Sequence, residues 1–399
     1  MKKTQGFWAI AMLMLLFGAC KKENQLSPTQ NTISTSLQDM ISENGNNPDE
    51  AIFTSNAEAA EVGYLYTESN AAMQNSILVF KKDETGMLTM QQQVNSGGAG
   101  LGAGLGSQGA LVLNETHEWL FAVNAGDNTV SSFSVAADGN LTLKHTAASG
   151  GTVPNSVTVH GNILYVLNNG SSSICGFTVG ADGELTKIEG SWHALSDTAV
   201  DAPQISFEPT GHALYVTEKA TNKIDRFTLN ETGGIASADF MPSTGETPFG
   251  FDYGRNKHFL IVSNAVGGLE DAGSCTSYSL SANGMLNDRN GVVPNFQGAP
   301  CWVATTKHGI FAYIGNTASN SISSYYISET GNLYLINAIA ALAGLATIDL
   351  IVSKDNRYTY AIGAVSHTLE AFERKPFGQL HHIGTVTSLP EFVVGLAVY

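Results

Sequence analysis

From residue 61 to the C-terminus the chain is a succession of short runs in which apolar and polar residues alternate, separated by turns rich in Gly, Asn and Asp. Alternation over such lengths predicts half-buried strands and argues against helices. Seven runs share one plan: GYLYTESN, WLFAVNAG, ILYVLNNG, ALYVTEKA, FLIVSNAV, FAYIGNTA and YTYAIGAV. A second alternating run follows, as in TVSSFSV, SICGFTV, KIDRFTL and SISSYYI. A Gly-containing turn then recurs at Gly86, Gly139, Gly183, Gly233, Gly284, Gly331 and Gly378, at separations of 53, 44, 50, 51, 47 and 47 residues.

No unit of about 48 residues with four short strands buries its own faces, so each must pack on its neighbours. Repeated radially, such units are the blades of a β-propeller. The pattern therefore predicts an all-β fold: a seven-bladed β-propeller of four-stranded antiparallel blades over residues 61–399. Closure is predicted too. The first unit opens on the strand Gly63–Glu68 with none before it, and the chain ends on a lone run, Glu391–Tyr399. That run would supply the missing innermost strand of the first blade and remove two open edges.

The N-terminus follows a different pattern. Lys2 and Lys3 precede an apolar run from Phe7 to Phe17, then Gly18, Ala19 and Cys20. The run is short for a membrane span and suits a secretory signal over residues 1–19. Its end resembles a bacterial lipobox, which implies lipid attachment at Cys20 and a place in the cell envelope, periplasmic or surface-facing. Residues 20–60 are rich in Asn, Ser, Thr, Gln and Glu and are expected to be a flexible tether. The net charge is −16, and no cluster of five or more Lys and Arg occurs, which argues against a nucleic-acid partner. Such acidity also leaves membrane attachment to the lipid rather than to headgroup charge. With Cys20 acylated, Cys175, Cys275 and Cys301 remain, an odd number expected to stay as buried free thiols. No CxxC or HExxH spacing is present, so no metal or cofactor is implied and a monomer is expected.

The units LYVTEKATNKIDRFTLNETGG, FAYIGNTASNSISSYYISETGNL and LFAVNAGDNTVSSFSVAADGNL resemble the lactonase-type seven-bladed propellers. That family includes propeller 6-phosphogluconolactonases and fungal carboxymuconate cyclases. The resemblance implies a small-molecule lactone or carbohydrate substrate. It also implies catalysis by a His near the start of an innermost strand, Arg side chains, and a Glu in a YVxNE-like strand end. Here Pro154, Pro203, Pro248, Pro300 and Pro390 are followed by Asn155, Gln204, Phe249, Cys301 and Glu391, with no His among them. YVTEK sets Glu218 and Lys219 on the last two positions of that strand end. Hydrolysis needs a base for water and a donor for the carbonyl oxygen. The candidates are Glu218 as base, Lys219 as donor, and His193 or His367 as proton shuttle.

In a propeller, the turns from second to third strand and the links between blades open on one face, and the turns from first to second strand on the other. His117, His160, His212, His258 and His308 fall in first-to-second turns, away from the face where ligands usually bind. His145, His381 and His382 fall on outer strands. On the binding face, one residue per blade ends the second strand, giving Glu68, Asn124, Asn168, Glu218, Asn264, Asn316 and Gly363. They form either a ring of ligand contacts or a set of turn braces. Trp302 is either a stacking platform in the channel or a core residue. Gly97–Gly109 is followed by strands and lacks the Lys and helix of a phosphate loop, so it is expected to be a mobile loop over this face. Two function classes follow: an exported, lipid-anchored lactonase or cyclase-like hydrolase, or a non-catalytic propeller binding a glycan, peptide or partner protein.

Overall fold

In the computed structural model of the chain the described residues are Asp49, 62–281 and 283–399. The expected signal segment, Cys20 and nearly all of the expected tether lie outside them.

Seven antiparallel sheets form the blades, and their innermost strands neighbour one another in a closed circle. Blade 1 holds Gly63–Glu68, Ser76–Lys82 and Leu88–Asn95, with Val394–Val398 as its innermost strand. The innermost strands of blades 2 to 7 are Leu111–Leu113, Pro154–His160, Gln204–Phe207, Pro248–Gly254, Pro300–Thr305 and Thr347–Val352. In blades 3 and 5 the outer strand is split into two short pieces.

The ring closes as the alternating pattern predicts. Leu65 pairs with Val398, Tyr66 with Ala397 and Glu68 with Val394. Tyr64 and Tyr399 exchange backbone hydrogen bonds of 2.9 and 3.0 Å. The Tyr399 ring lies 5.4 Å from Tyr64 and 5.0 Å from His117, so the last residue is packed between blades. The closing strand begins at Val394, three residues into the Glu391–Tyr399 run, because Pro390 and Glu391 are taken up in a turn.

The recurring glycines have a common cause. All seven adopt positive φ, from 67° at Gly378 to 87° at Gly183, a region that L side chains enter at a cost. At most of them the preceding blade's aromatic residue also presses in: a Cβ on Gly139 would stand 2.2 Å from Tyr64, and one on Gly183 2.2 Å from Trp119. The same turns are fastened sideways. Tyr66 donates to the Gly139 carbonyl, Tyr165 to Gly233, Tyr215 to Gly284 and Tyr360 to Gly86. Each Tyr is buried in a second strand, so its hydroxyl stitches one blade to the turn of the next.

Asp49, from the expected tether, is buried on the face that bears the first-to-second turns. It accepts from the amides of His308 (3.0 Å) and Ile310 (2.9 Å), from Asn356 Nδ2 (3.0 Å) and from the Thr306 hydroxyl. This anchors one point of the N-terminal region between blades 6 and 7.

Candidate functional site

The Gly-rich stretch does not lie loosely over the binding face. Asn70 clamps its first half, accepting from Leu101 N–H and donating to the Ala103 carbonyl, both at 2.7 Å. Residues 105–108 then enter the axial channel. Ser107 donates to the Asn155 carbonyl (2.7 Å), Gln108 N–H to Pro203 (3.0 Å), and Gln108 Nε2 to Val303 (2.9 Å). Gln108 Oε1 accepts from Val303 N–H (3.0 Å), and Leu105 packs in the cluster that includes Val394 and Ile348. One short segment thus touches the inner ends of blades 3, 4, 5 and 6 and plugs the channel. Gly250 leaves room for this side chain: a Cβ there would stand 2.2 Å from Gln108 Oε1. Trp302 lies beneath this plug. Its Nε1–H donates to the Ser107 carbonyl (2.9 Å), and its ring packs 5.0 Å from Phe249, so it is a buried wall rather than an open platform.

Lys219 stands at the mouth above the plug. Its ammonium pairs with Asp201 at 3.1 Å, reaches the Gly106 carbonyl at 3.5 Å and sits 4.8 Å over the Phe249 ring. Its side chain keeps 16% exposure, so the charge is held in place yet still meets solvent. Glu218, the preceding residue, points the other way, as alternation along a strand requires. It is fully buried, and its Oε2 accepts from the hydroxyls of Ser196 (2.6 Å) and Thr221. The Ser196 amide spans Glu218 Oε1 (3.0 Å) and Asp225 Oδ2 (3.2 Å), and Lys223 Nζ donates to Ser196 Oγ at 2.9 Å. Burial, and then the adjoining Glu218 carboxyl, push the Asp225 carboxyl up to about 8. Asp225 Oδ1 has no hydrogen-bond partner. The result is a pair of buried carboxyls bridged by the amide of half-buried Ser196, with Asp225 held toward its protonated form.

The remaining candidates are dispersed. Asn124 is fully buried and donates to the hydroxyls of Thr129 (3.0 Å) and Ser131 (2.9 Å). Asn264 braces Ser274 and Thr276, and Asn316 braces Ser321 and Ser323, in the same way. Asn168 donates to the Ser149 carbonyl. The amides of Asn124, Asn264 and Asn316 are thus engaged within their own blades, and that of Asn168 with the link entering its blade. His193 lies on a short outer strand of blade 3, its Nδ1 against the Ala194 carbonyl and its ring edge-on to Phe227. His367 is in the second-to-third turn of blade 7, three blades from Glu218, and its Nδ1 is buried without a partner. Neither histidine has a described contact with Glu218 or Lys219. Glu68 is fully buried in blade 1, and burial raises its carboxyl well above the usual range. Cys20 lies outside the described residues. Cys175, Cys275 and Cys301 are free and buried, and burial pushes the Cys301 thiol up to about 12.

Sequence reasoning missed Ser196, Asp201 and Gln108, which are ordinary polar residues of links without periodicity. It also missed Asp225 and Asp349, although each is an acid inside an apolar run, KIDRFTL and TIDLIV. On the opposite face a groove of about 680 Å³ runs between blades 4 and 5, lined by Glu208, His212, Tyr215, Arg226, Lys257 and His258 among others.

Comparison with known proteins agrees with this geometry. The family model described as "Lactonase, 7-bladed beta-propeller" matches residues 25–202. No curated protein matches the chain by sequence. Among solved structures, the periplasmic gluconolactonase of Pseudomonas aeruginosa is 17% identical, with 85% of this chain and 99% of that one covered and a TM-score of 0.68. A candidate 6-phosphogluconolactonase of Bacteroides fragilis is 18% identical, covering 85% and 98%, with a TM-score of 0.69. A Lactobacillus plantarum protein is 17% identical, covering 85% and 99%, also at 0.69. At these identities the likeness is one of fold. Closed ring, blade number and family match together make this chain similar to the lactonase-type seven-bladed β-propellers.

Proposed function

We propose that this protein hydrolyses a small sugar or carboxylated lactone at the plugged mouth of its axial channel. The observation that carries the reading is Lys219, an ammonium fixed by Asp201 and Phe249 above the Gly106 carbonyl on the face that bears the blade links. A cation preset there attracts a substrate carboxylate or the oxyanion that develops as a lactone carbonyl is attacked. Glu218 is the base: the proton of the attacking water passes to its carboxylate through the Ser196 hydroxyl. The ring C–O bond breaks, the ring oxygen takes the proton back, and the open hydroxy acid leaves. The family-model match and the propeller fold support the reaction class.

Purified protein is assayed against a panel of aldono- and carboxymuconolactones. Hydrolysis of at least one is expected, with Lys219→Met lowering kcat/KM tenfold or more and Glu218→Gln abolishing turnover. Inactivity on the whole panel, or full activity in both variants, overturns the reading. A second reading, a binding module without catalysis, is favoured by Leu269, Phe296, Leu345 and Val365, which stand 51–63% exposed on the same face in blades 5 to 7. Inactivity with saturable binding of a glycan or peptide supports that reading. Export and a lipid anchor at Cys20 are part of the proposal, and loss of membrane fractionation in Cys20→Ala tests them.

A further inference from the structure

Two carboxyl groups lie buried beside the closing strand with no basic partner among the described residues. Glu68 ends the second strand of blade 1 and pairs in register with Val394. The amide of the next residue, Gly395, donates to Asp349 Oδ2 at 2.8 Å. Glu68 is fully buried and Asp349 is 3% exposed. Glu68 Oε2 takes one long bond, 3.3 Å from Asn75 Nδ2, and Glu68 Oε1 has no partner at all. Among the described residues no Lys, Arg or His forms an ion pair with either acid. The side chain that does bond Glu68 is neutral: Asn75, which also contacts Asn124 Oδ1.

The backbone is shaped to put them there. Asp349 occupies a bulge between Ile348 and Leu350 with φ 35°, and Gly395, φ 72°, lies in the bulge opposite Tyr66 and Glu68. Bulges re-aim side chains, and a non-Gly residue at positive φ is held there only by its surroundings. Glu68 and Asp349 thus meet the closing strand at consecutive residues, Val394 and Gly395. Two buried acids without a counter-charge are a costly arrangement, and an unpartnered buried oxygen adds to it. A doubly positive ion that prefers oxygen removes both costs at once.

We propose that Glu68 and Asp349 bind a hard divalent cation of the calcium class at the junction of blade 7, blade 1 and the closing strand. Two carboxylates balance its charge, and calcium accepts the irregular six-to-eight oxygen set that backbone carbonyls and water complete. Asn75 connects this point to the plug, because its Oδ1 accepts from the amide of Asn70, whose side chain clamps Leu101 and Ala103. The ion would therefore fasten ring closure and the channel plug together.

The test uses the full chain stripped with a chelator and then dialysed. Calcium chloride is titrated by calorimetry and in thermal unfolding, with magnesium chloride as the comparison. The expected result is binding of about one calcium per chain and a midpoint that rises with calcium concentration, as for any ligand of the folded state. Glu68→Gln and Asp349→Asn keep the Asn75 and Gly395 hydrogen bonds and should each abolish the response. No calcium binding to the stripped wild-type chain overturns the proposal. So does a calcium response undiminished in both variants, which would put the ion elsewhere. If either variant fails to fold by circular dichroism, the wild-type titration alone decides.

Discussion

Replacing Asp225 by Asn should flatten the pH dependence of folding stability. Asp225 is 2% exposed on the third strand of blade 4, with the Glu218 carboxyl against it. Burial and that neighbour push its carboxyl up to about 8, whereas the unfolded chain titrates it near 3.8. Between about pH 5 and 8 the folded state therefore holds one proton more than the unfolded state at this site. With the unfolded state the poorer in protons, stability falls as pH rises, by at most about 1.4 kcal/mol per unit for one proton. Over two pH units the ceiling is about 2.7 kcal/mol. The Asn amide retains both the acceptor for Ser196 N–H and a donor toward Glu218, so the variant changes titration more than packing. Urea unfolding followed by tryptophan fluorescence at pH 5.5, 6.5 and 7.5, at constant ionic strength, gives the slopes directly. Other buried acids, Asp349 and Asp252 among them, contribute equally to both chains and cancel in the difference. The wild type should lose more stability than the variant across this range. Parallel slopes would refute the raised Asp225 carboxyl.

The blade-to-blade stitches are tested by Tyr165→Phe, which removes a 2.6 Å hydrogen bond and leaves the Gly233 carbonyl unmet; it should cost about 1–3 kcal/mol with an unchanged urea m-value. Gly183→Ala puts a Cβ 2.2 Å from the Trp119 ring at φ 87°, and should cost more than the roughly 1 kcal/mol of a simple conformational penalty. Gly161→Ala, at φ 56° with nothing within 4 Å, is its control and should cost no more than that penalty; equal losses would mean packing plays no part. Truncation after Pro390 removes the closing strand with buried Val393, Val394 and Leu396, at about 1.5–3 kcal/mol per side chain. The truncated chain should elute as aggregate in size-exclusion chromatography; a monodisperse, cooperatively unfolding product would show that closure is dispensable.

Blade number and ring closure were legible because each leaves a periodic trace. A turn that needs positive φ selects Gly near a fixed interval, and a strand missing at one end of the chain must appear at the other. The site was less legible because it is built from links, and links carry no period. Gly97–Gly109 read as loose because glycine permits motion. In the fold the same residue type permits close approach instead, and hydrogen bonds from Asn70, Ser107 and Gln108 decide between the two. Asn124, Asn264 and Asn316 read equally as ligand contacts or as braces, since an amide at a strand end serves either; the Ser and Thr residues two strand positions apart across the turn settle it.

One signal in the strands went unused. Asp225 and Asp349 each interrupt an apolar run in a chain with only 14% charged residues. A strand that must bury both faces in a propeller tolerates an acid only if a partner, a proton or an ion offsets its desolvation. For Asp225 the offset is the proton it keeps, and among the described residues no basic group forms an ion pair with Glu68 or Asp349. An acid inside an otherwise apolar inner strand thus marks chemistry more selectively than a polar residue on the ligand-facing loops. The loops are polar by default, whereas the buried acid is present against a standing cost.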